Sequence, residues 1–140
     1  GGVDNWSAGC VLFELLQGLR VDPGFRRPLF QGKGCYPMSP IGKGKEEIHG
    51  YCTPDDQLSK IFAVLGTPRG DRSWVEEDAL KYVNLFGSFE GLGLRAFLPT
   101  AGAPWLNLLN GLLCVNPRER LTARLGLQHS ALRSVRKRSI

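Results

Sequence analysis

The residues that invite a chemical reading here are glycine-rich spacings, four cysteines, two histidines and a few carboxylate clusters. Gly91-Leu92-Gly93-Leu94-Arg95-Ala96 satisfies G-x-G-x-x-A, the spacing that seats a dinucleotide pyrophosphate. That chemistry needs a strand before the first glycine and a helix opening at the motif, within a strand-helix-strand unit. The sequence offers neither condition, so the match is read as chance. Gly32-Lys33-Gly34 and Gly42-Lys43-Gly44 look like phosphate loops, but no G-x4-G-K-[ST] run exists. The cysteines at 10, 35, 52 and 114 form no C-x-x-C pair, and neither His49 nor His129 completes a zinc spacing. Cys10 and Cys114 fall inside apolar helical patterns and read as small buried hydrophobes. The thiols are expected to be reduced, in an intracellular protein. Glu46-Glu47 and Glu76-Glu77-Asp78 sit in polar loops or at helix starts, where solvation and the helix dipole account for them. His129 ends a helix, where a cation suits the dipole. No serine- or cysteine-histidine arrangement follows from spacing. Residue chemistry alone reveals no active site.

The elements that would position such residues are mostly helices. A first helix is predicted from about Asn5 to Gln17, with Asp4 as its N-cap and Gly18 as its stop. Trp6, Ala8, Cys10, Val11, Leu12, Phe13, Leu15 and Leu16 cannot share one stripe, so this helix reads as buried on nearly every side. From Gly18 to Thr53 the chain holds seven glycines and four prolines with no hydrophobic period, and reads as a long irregular connection. A second helix is predicted after Thr53 as cap, with Pro54, Asp55 and Asp56 in its first turn. Leu58, Ile61, Phe62 and Leu65 form its apolar stripe, and Gly66 ends it. Ser73-Trp74-Val75-Glu76 is a capping-box pattern opening a short helix to about Tyr82. A helical turn is expected near Leu94 to Phe97. Another helix begins near Pro104, with Trp105, Leu108, Leu109, Leu112 and Leu113 on its buried face, and Asn116-Pro117 breaks the pattern. Thr122 caps a last helix through about Gln128, weakened by Gly126.

The 140 residues have the size of one domain, with 42% apolar and 22% charged residues, enough for a packed core. No apolar run is long enough to span a bilayer. The Gly-Gly start without a methionine reads as an interior cut. Of the net charge of +5, four units lie at Arg133, Arg136, Lys137 and Arg138, so the basic character belongs to a tail and nucleic acid is not the expected partner.

Four blocks resemble a known pattern. Val3-Asp4-Asn5-Trp6-Ser7-Ala8-Gly9-Cys10 with Glu14-Leu15-Leu16 is similar to the protein-kinase segment forming the central helix of the large lobe. Pro28-Leu29-Phe30-Gln31-Gly32 and Asp56-Gln57-Leu58-Ser59-Lys60-Ile61-Phe62-Ala63-Val64-Leu65-Gly66-Thr67-Pro68 resemble the group uniting MAP kinases and cyclin-dependent kinases. Leu108 to Leu113 followed by Asn116-Pro117-Arg118-Glu119-Arg120-Leu121-Thr122-Ala123 resembles the closing motif of the kinase domain. Loop lengths and the run Ala79-Leu80-Lys81-Tyr82 look most like MAP kinases.

The resemblance implies a mainly α chain: the C-terminal part of the protein-kinase large lobe, several helices joined by long irregular loops, an incomplete domain. Residues 1–132 are then a partial kinase domain with an insertion at about 34–53, and 133–140 a basic tail. It implies a serine/threonine kinase that uses ATP and magnesium on sites followed by proline, with protein substrates and regulatory proteins as partners, in the cytoplasm or nucleus and not at a membrane. Asp4, Trp6, Gly9 and Arg120 are the residues it assigns to structural support of the active site. Asp4 would hydrogen-bond the catalytic loop, and Arg120 would pair with a glutamate preceding this chain; the plain alternatives are an N-cap and a surface arginine beside Glu119. No catalytic, ATP-binding or metal residue is expected here, because the glycine-rich loop, the ATP-contacting lysine, the catalytic aspartate and the Asp-Phe-Gly motif do not occur in these residues. The isolated segment is expected to be inactive and poorly soluble or molten. Departures from the pattern are the 25 residues between Phe30 and Asp56, Ser130 after His129 where the family has proline, and a basic tail in place of an acidic docking segment. The competing reading is a non-catalytic, pseudokinase-like binding module acting by association.

Overall fold

The structure is a computed structural model and describes residues 1–20, 22–35 and 53–133. Most of the expected insertion at 34–53, including His49, Glu46, Glu47 and Cys52, and most of the basic tail lie outside the described residues. The described chain is helical: α1 (Gly2–Arg20), a 3-10 turn (Pro23–Phe25), α2 (Gln57–Leu65), α3 (Glu77–Asn84), α4 (Leu94–Phe97), α5 (Ala103–Leu112), α6 (Ala123–Gln128) and a second 3-10 turn (Ser130–Leu132). Among the described residues the extended pairing is an isolated bridge between Gly34 and Asp56. The chain divides into two packed units, one of Gly1–Leu29 with Leu94–Ile140, the other of Phe30–Gly93.

In the first unit, α1 packs on α5 because their meeting faces are shaped for it. Gly9 is buried, and a Cβ at this position would come 2.9 Å from Leu113 Cγ and 3.1 Å from Leu112 Cβ. Leu108, Leu112 and Ala131 form a cluster, with Leu12, Trp105, Leu121 and Leu132 packed around it. Phe13, Leu94, Leu98, Leu109 and Leu113 are almost wholly enclosed. The all-round apolar α1 is not buried all round, however. Val3, Val11, Leu15 and Leu19 are 60–80% exposed, so among the described residues one face of α1 is covered and the other is not.

Two boundary expectations for α1 are corrected. The helix starts at Gly2, so Asp4 sits inside the first turn, not at the N-cap, and its side chain is 89% exposed. Gly18 does not stop it: α1 continues to Arg20, and Arg26 Nη2 donates to the Gly18 carbonyl at 2.8 Å. A cation thus meets the negative end of the helix there.

In the second unit, α2 is capped by Asp56, not by Thr53. The Asp56 carboxylate accepts from the Leu58 N–H at 2.8 Å and the Ser59 N–H at 3.4 Å. Thr53 instead closes a turn before it, its carbonyl accepting from Asp56 N–H and Ser59 Oγ. The Ser73 capping box does not form either. Ser73 turns back to Asp71, and α3 opens after Glu76, with Glu77 and Asp78 in its first turn. Gly66 ends α2 as expected, with φ at 83°. The segment Phe89–Gly93 then runs across this end: Leu92 N–H donates to Ala63 O and Gly93 N–H to Val64 O, occupying carbonyls the helix leaves open.

Candidate functional site

Gly91, the first glycine of the dinucleotide-like spacing, has a different purpose here. A Cβ on Gly91 would lie 2.7 Å from the Leu65 carbonyl carbon, and its φ of 77° favours glycine. Gly91 therefore allows two backbones to approach. Among the described residues no strand precedes it, and the helix after Gly93 is four residues long. The dinucleotide reading has no geometric support.

The residues assigned to active-site support are partly brought together. The Arg120 guanidinium lies 5.0 Å from the centroid of the Trp6 ring, a cation–π distance. Its Nε donates to Cys114 O at 2.8 Å, Nη2 to Val115 O at 3.2 Å, and Nη1 to Gly2 O at 2.8 Å. One planar fork thus ties the turn after α5 to the first turn of α1. The turn that delivers it is built by Asn116, whose side chain accepts from Arg118 N–H and donates to Glu119 Oε1. Glu119 Oε1 is engaged with Asn116, and the contacts of Arg120 run to carbonyls and the Trp6 ring. Gly9 lies farther along α1, at the α5 contact. Asp4 does not join this group.

A matching arrangement in the second unit was not foreseen. The Gln57 amide spans a backbone loop, accepting from Gly32 N–H at 3.0 Å and donating to Phe30 O at 3.3 Å. Gly32 is glycine for space, since a Cβ would lie 2.7 Å from the Gln57 Cα. Asp56 is buried, and its second oxygen accepts from the Tyr82 hydroxyl at 2.9 Å. Phe62 and Tyr82 both meet Phe86 edge-on, with ring centroids 5.5 and 5.1 Å apart. The sequence marked Asp56 as a first-turn carboxylate and Asp56-Gln57 as the head of a block that resembles the kinase group, and periodicity carries no signal for their partners.

His129 is also reassigned. Its Nδ1 accepts from Ala131 N–H at 3.2 Å and caps the second 3-10 turn, leaving Nε2 to donate to Asn107 Oδ1 at 2.9 Å. Burial raises the thiol pKa of Cys10, helped by nearby Glu14. Burial also raises that of Cys114, against a lowering contact from the Asn116 backbone. Neither is an activated thiol. Among the described residues no cluster of three or more His, Cys, Asp or Glu could hold a metal, and no helix is long and apolar enough to cross a membrane.

The blocks of the sequence therefore meet in pairs: the first with the last through Gly9 and the Trp6–Arg120 contact, the second with the third through Gln57. A helical chain knitted in this way agrees with a piece of a kinase large lobe. Comparison with known proteins bears on the same point. Over 129 residues, 92% of the chain, it is 32% identical to cyclin-dependent kinase D-1 of Arabidopsis thaliana. It is 34% identical over 139 residues, 99% of the chain, to cell division control protein 2 homolog 2 of Trypanosoma brucei brucei. It is 35% identical over 129 residues, 91% of the chain, to homolog 3 from the same organism. The chain spans 25%, 32% and 33% of these relatives' lengths, respectively. No protein-family model matches. The similarity, running through nearly all of the chain, supports a protein-kinase segment related to the cyclin-dependent kinases.

Proposed function

We propose that this chain is the C-terminal portion of a serine/threonine protein kinase of the MAP kinase and cyclin-dependent kinase group. The observation that carries the proposal is the coincidence of two things: 32–35% identity to kinases over at least 91% of the chain, and contact in space between sequence blocks that resemble kinase motifs. The parent enzyme transfers the γ-phosphate of ATP, with magnesium, to protein substrates at serine or threonine followed by proline. ATP and magnesium do not fit the residues described here, which hold no metal cluster and lack the phosphate-binding and Asp-Phe-Gly motifs. They belong to the remainder of the parent. This segment supports the active site through Trp6, Gly9 and Arg120 and supplies substrate and partner surface. Asp4, exposed here, is left for the catalytic-loop backbone of the parent. The parent is read as an enzyme of the cytoplasm or nucleus, a reading that the free thiols of Cys10 and Cys114 support.

Within the group, Ala79 to Tyr82 and the loop lengths favour a MAP-kinase-like branch, whereas the relatives named above are cyclin-dependent kinases or cell division control homologues. The test is to express the longest reading frame containing this chain and assay it with ATP and magnesium on paired Ser-Pro and Ser-Ala peptides. The expected result is phosphate transfer at least tenfold better to Ser-Pro. Stimulation by an added cyclin assigns the cyclin-dependent branch; stimulation by upstream phosphorylation alone assigns the MAP-kinase-like branch. A reading frame without His-Arg-Asp and Asp-Phe-Gly motifs, or one with no transfer, overturns the enzyme and leaves the pseudokinase-like binding module.

A further inference from the structure

We propose that a cleft at the C-terminal end of α1 docks an acidic segment of a partner protein by taking up one of its aromatic side chains. The cleft has a volume of about 220 Å³ and lies within the first unit, between Phe13 and Gln17 of α1, the loop residues Phe25, Arg27 and Pro28, and Phe97 of α4. Drug-sized ligands occupy pockets of about 300–1,000 Å³. This one matches a single ring.

Its walls are fixed before anything binds. The Gln17 side chain, itself buried, pairs with both backbone groups of Arg27: Oε1 accepts from the Arg27 N–H at 3.0 Å, and Nε2 donates to the Arg27 carbonyl at 3.1 Å. The lip is a 3-10 turn held by Asp22, which accepts from Gly24 N–H at 3.0 Å through its side chain and from Phe25 N–H at 2.9 Å through its carbonyl. Held there, Phe25 remains 75% exposed while lining the cleft. A rigid loop presenting an uncovered aromatic ring loses little entropy on binding.

Charge selects the occupant. Arg27 is the charged residue among the described lining residues, and no carboxylate lines the cleft with it. Its Nη1 donates to the Arg26 carbonyl, and among the described residues it forms no ion pair. Aromatic rings flanked by arginine are the residue types that dominate binding energy at protein interfaces. A ring carried between acidic side chains satisfies both halves of the site.

The probe is a fluorescein-labelled Gly-Glu-Asp-Phe-Asp-Glu peptide, read by anisotropy against the longest protein containing this chain, without ATP. Because the readout is binding, failure of the kinase assay and failure of docking are separable. Arg27→Glu, at an exposed position, is expected to weaken binding at least tenfold, and a peptide with lysines in place of the acids to recover it. Phe97→Ala and a peptide with alanine in place of phenylalanine are each expected to lose at least tenfold. The proposal is overturned if Arg27→Glu leaves affinity unchanged, or if the alanine peptide binds equally well. It is also overturned if free phenylpropionate displaces the peptide at an equal concentration. The same holds if the protein self-associates through this face and ignores the peptide.

Discussion

Position 9 tolerates no side chain. The nearest atoms to a Cβ there belong to Leu113, a side chain that is 1% exposed and has nowhere to retreat. Gly9→Ala in the full-length parent is expected to cost about 1–3 kcal/mol, as overpacking of a filled core does, and to lower the thermal midpoint accordingly. An unchanged midpoint would show that α1 and α5 can separate cheaply. Arg120 is a different case, because its partners within this chain are carbonyls and a ring. Arg120→Lys keeps the charge but loses the fork that reaches Gly2, Cys114 and Val115 together, so it should cost about 1–3 kcal/mol, nearly as much as Arg120→Ala. A double-mutant cycle with Trp6→Leu should return about 0.5–1 kcal/mol of coupling. The cysteines provide the pH test. Thiolate is the reacting form, and a raised pKa means less of it at any given pH. Cys35 is exposed, whereas burial raises the thiols of Cys10 and Cys114. Iodoacetamide at pH 7.5 should label Cys35 first, and the lag at Cys10 and Cys114 should shrink only as the pH passes the ordinary thiol range. Peptide mass mapping with equal rates at all three would contradict these environments.

At the scale of elements, helix existence was written in the sequence and helix starts were not. The α2 helix with its stop at Gly66, the turn at Leu94–Phe97 and the Thr122 cap all stand in the structure, although of the stripe Leu58, Ile61, Phe62 and Leu65 only Phe62 is buried, with Val64 beside it. The failures share one cause. Thr53 and Asp56 are both good caps three residues apart, and local chemistry cannot choose between them. Tyr82 can, because its hydroxyl reaches the Asp56 oxygen left over from capping. Ser73 likewise lost its capping role to Asp71, and Asp4 lost its own because the chain is already helical at Gly2. Each case turned on which of several available partners a residue takes, a contact between segments for Asp56 and a local one for Ser73 and Asp4, and residue types alone do not rank these. The same contact yields a prediction. Tyr82→Phe leaves a buried carboxylate oxygen short of a donor while keeping the ring against Phe86, so it should cost about 1–3 kcal/mol with little change in packing. Chemical denaturation of the parent would measure it, and a cost near zero would mean that water replaces the hydroxyl.

At the scale of the molecule, the resemblance gained its meaning from pairing: blocks far apart in sequence are in contact within each unit, as parts of one domain must be. What the described residues do not supply is a cover for one face of α1. Val11, Leu15 and Leu19 follow one another at i, i+4 and i+8 and remain at least 60% exposed, beside the Val3 that is 77% exposed. The relatives are three to four times longer than the stretch they share with this chain, so the proposed parent has ample chain to lie on that face. The consequence can be tested by a change of sign. In the 140-residue segment alone, an uncovered apolar face of this kind should bind a hydrophobic dye and broaden the thermal transition. Leu15→Glu with Leu19→Glu should then reduce dye binding and improve solubility, because both side chains face water. In the full-length parent the same pair should destabilise the fold by several kcal/mol, since a carboxylate enclosed without a partner is expensive. A sharp, dye-free melt of the isolated segment would refute the first half. Tolerance of both glutamates in the parent would refute the second, leaving α1 as a surface helix and removing the scaffold on which the proposed active site depends.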